Sequence, residues 1–251
     1  MKRRSNETSE ITKDTLFNGN LICYQNKNGY RFSIDSVLLA HFSLSWKNAT
    51  VLDMGCGCGI LSLILLYRNY SEIHCIQGIE VQDSLVVLAR KNCEVNNFEK
   101  KCTIIQGDYR DIRTFFKAET FTHIICNPPF FPIGSGRTSE NTESCLARHQ
   151  KLSSPDSIAE GAAFALKNKG VFTIIFPAEL CMDLLFALNA RKIRVKRMQV
   201  VYSYPLAENA SLVLLECIKN GGVGVKVLKP LYIYDMQNGP YSKEIQEMYC
   251  P

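Results

Sequence analysis

The chain has 251 residues, which is enough for one large domain with a substantial hydrophobic core. Its composition, 46% hydrophobic, 10% aromatic and 21% charged, is that of a folded protein and excludes disorder over most of the length. The net charge of +5 is mild and by itself predicts only weak attraction to a polyanion.

Targeting and metal-binding signals are also missing from the sequence. The longest apolar run, 59–67, is about half of the roughly 20 residues that span a bilayer, so we expect no membrane contact. The basic residues at 2–4 are followed by polar residues rather than by an apolar signal, and we expect a cytoplasmic protein. Eleven cysteines without a C-x-x-C pair, and scattered histidines, predict buried thiols and no metal site.

Along the chain, polar residues 1–14 predict a flexible N-terminal tail. We expect one domain over 15–251, divided into an N-terminal segment 15–48, a core 49–219 and a C-terminal tail 220–251. Strands are predicted at 21–25, 50–53, 74–80, 102–107, 122–127, 170–177, 194–202 and 211–219. Helices are predicted from about residue 33, and at 59–67, 82–96, 155–167 and 178–190.

The alternation of these elements defines the fold class. Nearly continuous apolar strands alternating with helices predict an α/β fold, with a mostly parallel seven-stranded sheet and helices on both faces. The polar region 133–154 interrupts this alternation, and a loop of that length is usually functional or disordered.

A glycine-rich loop follows the strand at 50–53 and leads into an apolar helix. It contains Gly55, Gly57 and Gly59, preceded by Asp53. Glycine lets a ligand approach the backbone at a helix N-terminus, although a tight turn alone could also explain these residues. The pattern D-x-G-x-G-x-G resembles the S-adenosylmethionine loop of class I methyltransferases and differs from the G-x-G-x-x-G of dinucleotide sites. The resemblance implies a Rossmann-like class I fold that binds S-adenosylmethionine and releases S-adenosylhomocysteine.

Two further acidic residues stand at the ends of later strands. Glu80 ends the strand at 74–80 and can accept hydrogen bonds from both hydroxyls of the cofactor's ribose. Asp108 follows the next strand, where the class I resemblance implies a carboxylate beside the cofactor's adenine. Either acid alone could be a solvated strand end, but their order after the glycine loop favours a cofactor site.

The four residues Asn127, Pro128, Pro129 and Phe130 follow the next strand and resemble the N-P-P-[YF] signature of methyltransferases that modify planar amino groups. Such a nitrogen is a poor nucleophile until its lone pair is aimed at the methyl group. The Asn127 side-chain oxygen and the Pro128 carbonyl can each accept an N–H, and Phe130 can stack on a base. We assign all four residues as catalytic and place Asn127 beside the cofactor too. Adenine N6, guanine N2 and a glutamine amide all stay open as substrates.

Motifs over residues 15–250 together resemble the tRNA1(Val) adenine-N6-methyltransferase family. They are Gln25, Gly29-Tyr30-Arg31-Phe32, Asp35, Leu38-Leu39, the NPPF motif, Ala147-Arg148-His149, 230–235 and Tyr241-Ser242. The resemblance implies N6-methylation of adenosine 37 in the anticodon loop of tRNA(Val), with Tyr30, Arg31 and Asp35 closing over cofactor or substrate. Phe130 replaces a tyrosine of the family, which preserves stacking, and Gln150 stands where members often carry an acid.

An anticodon loop is anionic and presents unstacked bases, so a protein surface that binds it needs cationic side chains. The candidates are Arg191, Lys192, Arg194, Lys196 and Arg197 in one run, and Arg137, Arg148 and His149 in the long loop. A solvated basic face explains the run equally well. The sequence thus predicts a tRNA adenine-N6-methyltransferase that is a monomer or weak homodimer. A protein glutamine methyltransferase, an RNA guanine-N2 methyltransferase and a non-catalytic RNA-binding scaffold are the alternatives.

Overall fold

A computed structural model of the chain describes residues 10–27, 33–44, 46–129 and 154–250. Its strands are β1 Ile11–Leu16, β2 Leu21–Asn26, β3 Ala49–Met54, β4 Ile73–Glu80, β5 Cys102–Gln106, β6 Phe121–Cys126, β7 Leu166–Pro177, β8 Ile193–Tyr202, β9 Leu212–Lys219, β10 Lys226–Val227 and β11 Leu231–Tyr232. Its helices are α1 Ile34–Phe42, α2 Ile60–Asn69, α3 Asp83–Val95, α4 Ile112–Phe115, α5 Pro155–Ala165, α6 Cys181–Ala190 and α7 Lys243–Tyr249.

The seven long strands β3 to β9 form one sheet in the spatial order β8, β9, β7, β6, β3, β4, β5. Neighbouring strands run parallel, except that β9 is antiparallel to both β7 and β8. The expected mostly parallel sheet is therefore confirmed, but among the described residues it has nine strands and not the expected seven. The short strands β10 and β11, which the sequence did not predict, pair in parallel with the outer edge of β8.

Helices cover both faces of this sheet, because neighbouring apolar residues on the strands point in opposite directions. Ile124 and Ile125 on β6 belong to two different hydrophobic clusters, and so do Ile174 and Ile175 on β7. Helices α1, α2 and α3 contribute to one cluster, and α5 and α6 contribute to the other. Within the described ranges, no helix is long and apolar enough to cross a membrane.

The cysteines follow the expectation of buried thiols. All ten that the described ranges contain are free, and seven of them are buried. Burial raises the pKa of the Cys56 thiol well above its ordinary value, because the thiolate would lose its hydration. These side chains therefore behave as small apolar residues in the core.

A hairpin at the N-terminal end corrects the expected tail. Strand β1 begins at Ile11 and pairs antiparallel with β2, so the last four residues of the segment 1–14 belong to a strand. Only alternate side chains of β1 are partly buried until Leu16, and the strand is held mainly by its backbone ladder. A strand stabilised in this way leaves little apolar periodicity in the sequence.

Two asparagines, Asn92 of α3 and Asn96 directly after it, hold the outer edge of β2 as a neighbouring strand would. The Asn96 side chain accepts from the Ile22 N–H at 2.9 Å and donates to the Ile22 carbonyl at 2.7 Å. The Asn92 side chain does the same for Tyr24, at 2.7 and 3.0 Å. Asn92 also donates to the Cys58 carbonyl of the glycine loop at 2.9 Å. The fully buried Asn92 thus fastens the hairpin directly to that loop.

The described residues 220–250 of the C-terminal segment fold back on the sheet rather than forming a tail. Leu231 of β11 and Ile245 of α7 are buried, and α7 contacts α1. The rings of Tyr234, Tyr241 and Tyr249 stack in succession, with centroids 5.3 and 5.9 Å apart. A few large side chains spaced irregularly anchor this segment, which explains why periodicity did not predict its helix.

Replacement of Asn92 by alanine should undock the hairpin. The Asn92→Ala variant leaves the backbone groups of Tyr24 and the Cys58 carbonyl without their partner, so we expect the free energy of unfolding to fall by about 2–4 kcal/mol. Urea denaturation measures this change. The control is Asn69→Ala, which removes a bond within one helix, to the Leu65 carbonyl, and should cost less than about 1 kcal/mol. Equal losses in the two variants would contradict the proposed fastening.

Candidate active site

The sequence motifs come together at one edge of the sheet. Asn127 follows β6, the glycine loop 55–59 follows β3, Glu80 ends β4 and Asp108 follows β5, and these four strands are adjacent and parallel. The chain proceeds from β3 through β4 to β5 on one side, and β6 lies on the other side of β3. Such a reversal opens a crevice at the carboxyl ends of the strands, where open α/β sheets bind ligands.

The glycine loop needs glycine at alternate positions. Gly55, Gly57 and Gly59 have φ values of 75°, 57° and 84°, in the left-handed region that favours glycine. The N–H groups of Gly55 and Cys56 both donate to the Ile79 carbonyl of β4, at 3.0 and 3.1 Å. The loop is therefore fixed to the neighbouring strand by its own backbone.

Glu80 completes this attachment. One carboxylate oxygen accepts the Gly57 N–H at 3.0 Å, and the other accepts the Gln82 N–H at 2.9 Å. The side chain is 6% exposed, as expected for a carboxylate with backbone donors on both oxygens. Each carboxylate oxygen has a second lone pair, so Glu80 can hold the loop and still accept from a ligand hydroxyl.

Asp53 lies beneath the loop and not on its surface. It is 1% exposed, and its carboxylate accepts from the Ser62 hydroxyl at 2.6 Å and from the Ser62 backbone N–H. Burial raises the pKa of Asp53 to about 7, and the nearby Glu80 adds to the rise. The residue therefore secures the first turn of α2 from below, so its part in cofactor binding would be indirect.

Gly59 is also required by packing. It stands at the N-terminus of α2, and a Cβ atom at this position would lie 3.3 Å from the Ala89 Cβ of α3. The neighbouring Cys58 is buried, and its sulfur lies 3.9 Å from the sulfur of Cys23 on β2. Small side chains thus let α2, α3 and the hairpin meet around the loop.

Asp108 is engaged by a neighbouring cation. Its carboxylate accepts from Arg110 Nε at 2.9 Å and from Arg110 Nη2 at 2.5 Å, and it also caps the following turn through the Arg110 N–H at 2.9 Å. Its side chain is 15% exposed. Arg110 therefore orients the carboxylate at the end of β5 while leaving part of it open to the crevice.

Asn127 carries an unusual feature for a buried amide. Its Nδ2 donates to the Ser36 hydroxyl of α1 at 3.2 Å, whereas its Oδ1 is buried and accepts no hydrogen bond from the residues that the structure describes. A buried acceptor without a partner costs about 1–3 kcal/mol, and such atoms call for a functional explanation. The next two residues are also shielded from solvent, since Pro128 is buried and Pro129 is partly buried. An oxygen is thus held ready to accept a donor from a ligand.

Helix α1 brings its first turn to the same place. Its N-cap Ser33 accepts the Asp35 N–H at 3.3 Å, and Asp35 is followed directly by Ser36. Burial raises the pKa of the Asp35 carboxyl above its ordinary value. The bond from Asn127 to Ser36 brings this turn of α1 beside the end of β6. Tyr30, Arg31, Phe130, Arg137, Arg148 and His149 lie outside the described residues.

The basic run 191–197 does not line this crevice. Strand β8 begins at Ile193. When the paired residues are followed from β8 through β9, β7 and β6 to β3, Arg194 lies at the same height in the sheet as Val51, near the start of β3. Lys192 and Arg194 therefore lie towards the amino edge of the sheet, whereas the glycine loop follows the carboxyl end of β3. The sequence could not reveal this separation, because it depends on the direction of β8.

The other three cations of the run have partners within the protein. Arg191 pairs with Asp156 at 3.0 Å, and Arg197 pairs with Glu216 at 2.7 Å. Lys196 donates to the three carbonyls of 222–224 at 2.8–3.2 Å. Three of the five cations thus make contacts within the protein and the other two lie towards the opposite edge of the sheet, so the geometry does not place the run at the crevice.

Sequence reasoning missed several residues that build the site. Ser36, Ser62, Asn92 and Arg110 each hold a motif residue or the loop through a side-chain bond. Only Arg110 had a sequence signal, as a cation two residues after an acid at a strand end. In the described parts of the chain, no group of three metal-ligating side chains comes together.

Comparison with known families gives a consistent match. A family model described as the methyltransferase small domain matches residues 33–187. The tRNA1(Val) (adenine(37)-N6)-methyltransferase of Shewanella halifaxensis is 29% identical to this chain over 66% of its length. The enzyme of the same name from Vibrio cholerae is 30% identical over 59% of this chain. These matches also span only 66% and 59% of the relatives' own lengths. A relative of the same name from Bacteroides thetaiotaomicron is 21% identical over 90% of this chain and 91% of its own.

Solved structures agree on the fold. A predicted O-methyltransferase from Agrobacterium tumefaciens matches with a TM-score of 0.68 at 15% identity, over 86% of this chain and 95% of that one. An S-adenosylmethionine-dependent methyltransferase from Aquifex aeolicus matches with a TM-score of 0.52 at 17% identity, over 72% and 87% of the two chains. The Rossmann-like class I methyltransferase fold expected from the sequence is thereby confirmed.

The buried carboxyl of Asp53 predicts a specific pH dependence. Because its pKa is raised to about 7 in the folded protein, the folded state binds a proton that the unfolded chain releases near its ordinary value of 3.8. The free energy of unfolding should therefore decrease as the pH rises between about 4 and about 7. Asn at this position accepts the same bonds from Ser62 without ionising, so Asp53→Asn should flatten this decrease.

Urea denaturation at a series of pH values measures the effect, with Asp183→Asn on the exposed side of α6 as the control for losing one carboxylate. The control should keep the pH dependence of the parent protein. Parallel curves for Asp53→Asn and the parent would show that Asp53 does not ionise in this range.

Proposed function

Because the chain belongs to the methyltransferase small domain family, whose model matches residues 33–187, we propose that it methylates N6 of an adenine in tRNA with S-adenosylmethionine as the donor. The observation that carries this proposal is the buried Asn127 oxygen at the switch point of the sheet, which has no hydrogen-bond partner within the described ranges. An exocyclic amine has two N–H groups and would satisfy this acceptor.

The residues around the glycine loop fit the proposed cofactor. A Cβ atom on Gly57 would meet no atom within 4 Å, so the outer side of the loop is open to a ligand. The loop does not have the G-x-G-x-x-G spacing that binds the pyrophosphate of a dinucleotide, and S-adenosylmethionine has no pyrophosphate. We assign Glu80 to the ribose hydroxyls and Asp108 to the adenine of the cofactor. Gly55, Gly57 and Gly59 provide the surface, which Asp53 supports from below.

The proposed chemistry depends on alignment. When bound, S-adenosylmethionine supplies an electrophilic methyl group on a positively charged sulfur. Asn127 Oδ1 and the Pro128 carbonyl would each accept an N–H of the target amine, which turns the nitrogen lone pair towards that methyl group. Phe130 would stack on the base and fix its plane. Because the amine attacks in its neutral form, its proton can leave after the transfer, and positioning in a polar site supplies the rate.

The preference for tRNA rests on the relatives. Those with 21–30% identity carry the name tRNA1(Val) (adenine(37)-N6)-methyltransferase, which favours an adenine next to the anticodon over guanine or glutamine. We propose adenosine 37 of tRNA(Val) as the target. Tyr30 and Arg31 would close over the site with Asp35, and Arg137, Arg148 and His149 would contact RNA phosphates. We expect the enzyme to act in the cytoplasm as a monomer or weak homodimer.

Removal of the Asn127 amide tests the catalytic assignment. We expect Asn127→Ala to lower methyl transfer by at least about 100-fold, because the amine loses its alignment. Binding of S-adenosylmethionine, measured by calorimetry, should change little because the glycine loop is untouched. Transfer is measured with labelled S-adenosylmethionine and tRNA that lacks its modifications. Turnover equal to that of the parent would exclude this mechanism.

The same assay separates the candidate substrates. Parallel incubations contain unmodified tRNA, a release-factor protein and duplex DNA, and nuclease digestion identifies the labelled nucleoside. Label in N6-methyladenosine at position 37 supports the proposal. Label in N2-methylguanosine or in the protein would favour one of the alternative enzymes, and cofactor binding without any label would favour a scaffold.

A glycine substitution tests the cofactor loop. Gly59→Ala combines a φ of 84° with the close contact to Ala89, and left-handed backbone costs a non-glycine residue about 1–2 kcal/mol. We expect the dissociation constant for S-adenosylmethionine to rise about tenfold or more. The control Gly19→Ala has a similar φ of 87° but no atom within 4 Å of the new Cβ and lies in the hairpin turn. Equal weakening in both variants would contradict a cofactor site at this loop.

A further inference from the structure

The Asn127 amide is held from one side by a residue that no motif contains. Ser36 is 2% exposed, and its hydroxyl accepts the Asn127 Nδ2 hydrogen at 3.2 Å. The helix around it is firmly placed, since Ser33 caps its N-terminus and Val37 and Leu38 are buried in the core. The hydroxyl therefore has a defined position relative to the end of β6.

The orientation of this amide decides what it can bind. A side-chain amide turned by 180° exchanges its oxygen for an NH₂ group at nearly the same place. An amine that donates its N–H groups can be held by the oxygen, whereas two facing sets of N–H groups repel each other. In the structure the Asn127 nitrogen bonds to Ser36, and the buried oxygen has no donor among the described residues. A serine hydroxyl can also donate to an amide oxygen, so the bond fixes the place of the amide and does not by itself choose between its two ends.

We propose that Ser36 is a positioning residue that holds the Asn127 amide in its place beside the amine to be methylated. The inference rests on the proposed function, because it assumes that an amine is the group received. Ser36 itself does not touch the reacting atoms. Its effect passes through one hydrogen bond to the amide, so α1 and the NPPF motif form one functional unit although 91 residues separate the bonded side chains.

Removal of the hydroxyl should affect turnover and little else. In Ser36→Ala the amide loses its anchor and can leave its place at the end of β6, and a small displacement of a group that aligns the substrate can lower a rate by one to two orders of magnitude. We expect kcat to fall about tenfold or more, with unchanged KM for tRNA and unchanged affinity for S-adenosylmethionine. An unchanged kcat in an enzyme that methylates tRNA, and in which Asn127→Ala is inactive, would overturn the inference alone.

The matched control is Ser43→Ala. Ser43 is buried at the C-terminal end of α1, whereas Ser36 is in its first turn. The Ser43 hydroxyl donates to the Leu39 carbonyl at 2.8 Å and does not bond to Asn127. This variant also removes one buried hydroxyl from α1 but leaves the amide alone. We expect its kcat to equal that of the parent. A similar loss of kcat in both variants would assign the effect of Ser36 to the stability of the helix.

A second measurement does not depend on activity. The side-chain NH₂ signals of Asn127 can be followed by NMR of the ¹⁵N-labelled protein and assigned by their loss in Asn127→Ala. The signals should shift in Ser36→Ala and stay in place in Ser43→Ala. If no substrate is methylated but the signals shift, the proposed function fails and the bond stands. If transfer to tRNA is present and the signals are the same in all three proteins, the inference fails and the function stands.

Discussion

The loop between β3 and α2 has a backbone in which three alternate residues are left-handed, and the candidate site is organised around it. This conformation turns the N–H groups of Gly55 and Cys56 to β4 and that of Gly57 to Glu80. Asp53 is buried below the loop, and this burial raises its pKa because the ionised carboxylate loses its hydration. Protonation of that carboxyl near neutral pH links the stability of the loop to the pH of its surroundings.

The same loop connects distant parts of the chain. Asn92 of α3 bonds both to the Cys58 carbonyl and to the backbone of β2, so the N-terminal hairpin cannot move independently of the loop. Helix α1 follows the hairpin and brings Ser36 to Asn127. The hairpin, the glycine loop and the end of β6 are therefore connected at one edge of the sheet. Through Ser36, the N-terminal segment helps to set the position of the Asn127 amide.

Several cationic side chains bind acceptors within the protein. Arg110 orients Asp108, Arg197 pairs with Glu216, and Lys196 binds the carbonyls of 222–224. A count of cations in a sequence treats all of them as available to an anionic partner, but partially buried cations with short contacts are committed to the fold. Three of the five cations in 191–197 are committed in this way and the other two lie towards the amino edge of the sheet, so the run did not identify a surface at the site.

The amino-acid sequence determined the α/β class, the strands β3 to β9 and the motif residues at their ends, because local apolar patterns and glycine spacing encode them directly. The hairpin strand β1 and the helix α7 escaped prediction, since backbone ladders and a few anchors such as Ile245 hold them. Tertiary structure alone decided the burial of Asp53, the orientation of the Asn127 amide and the edge on which Arg194 lies. Each of these depends on residues far away in the chain, and the direction of β8 follows from its pairing with β9.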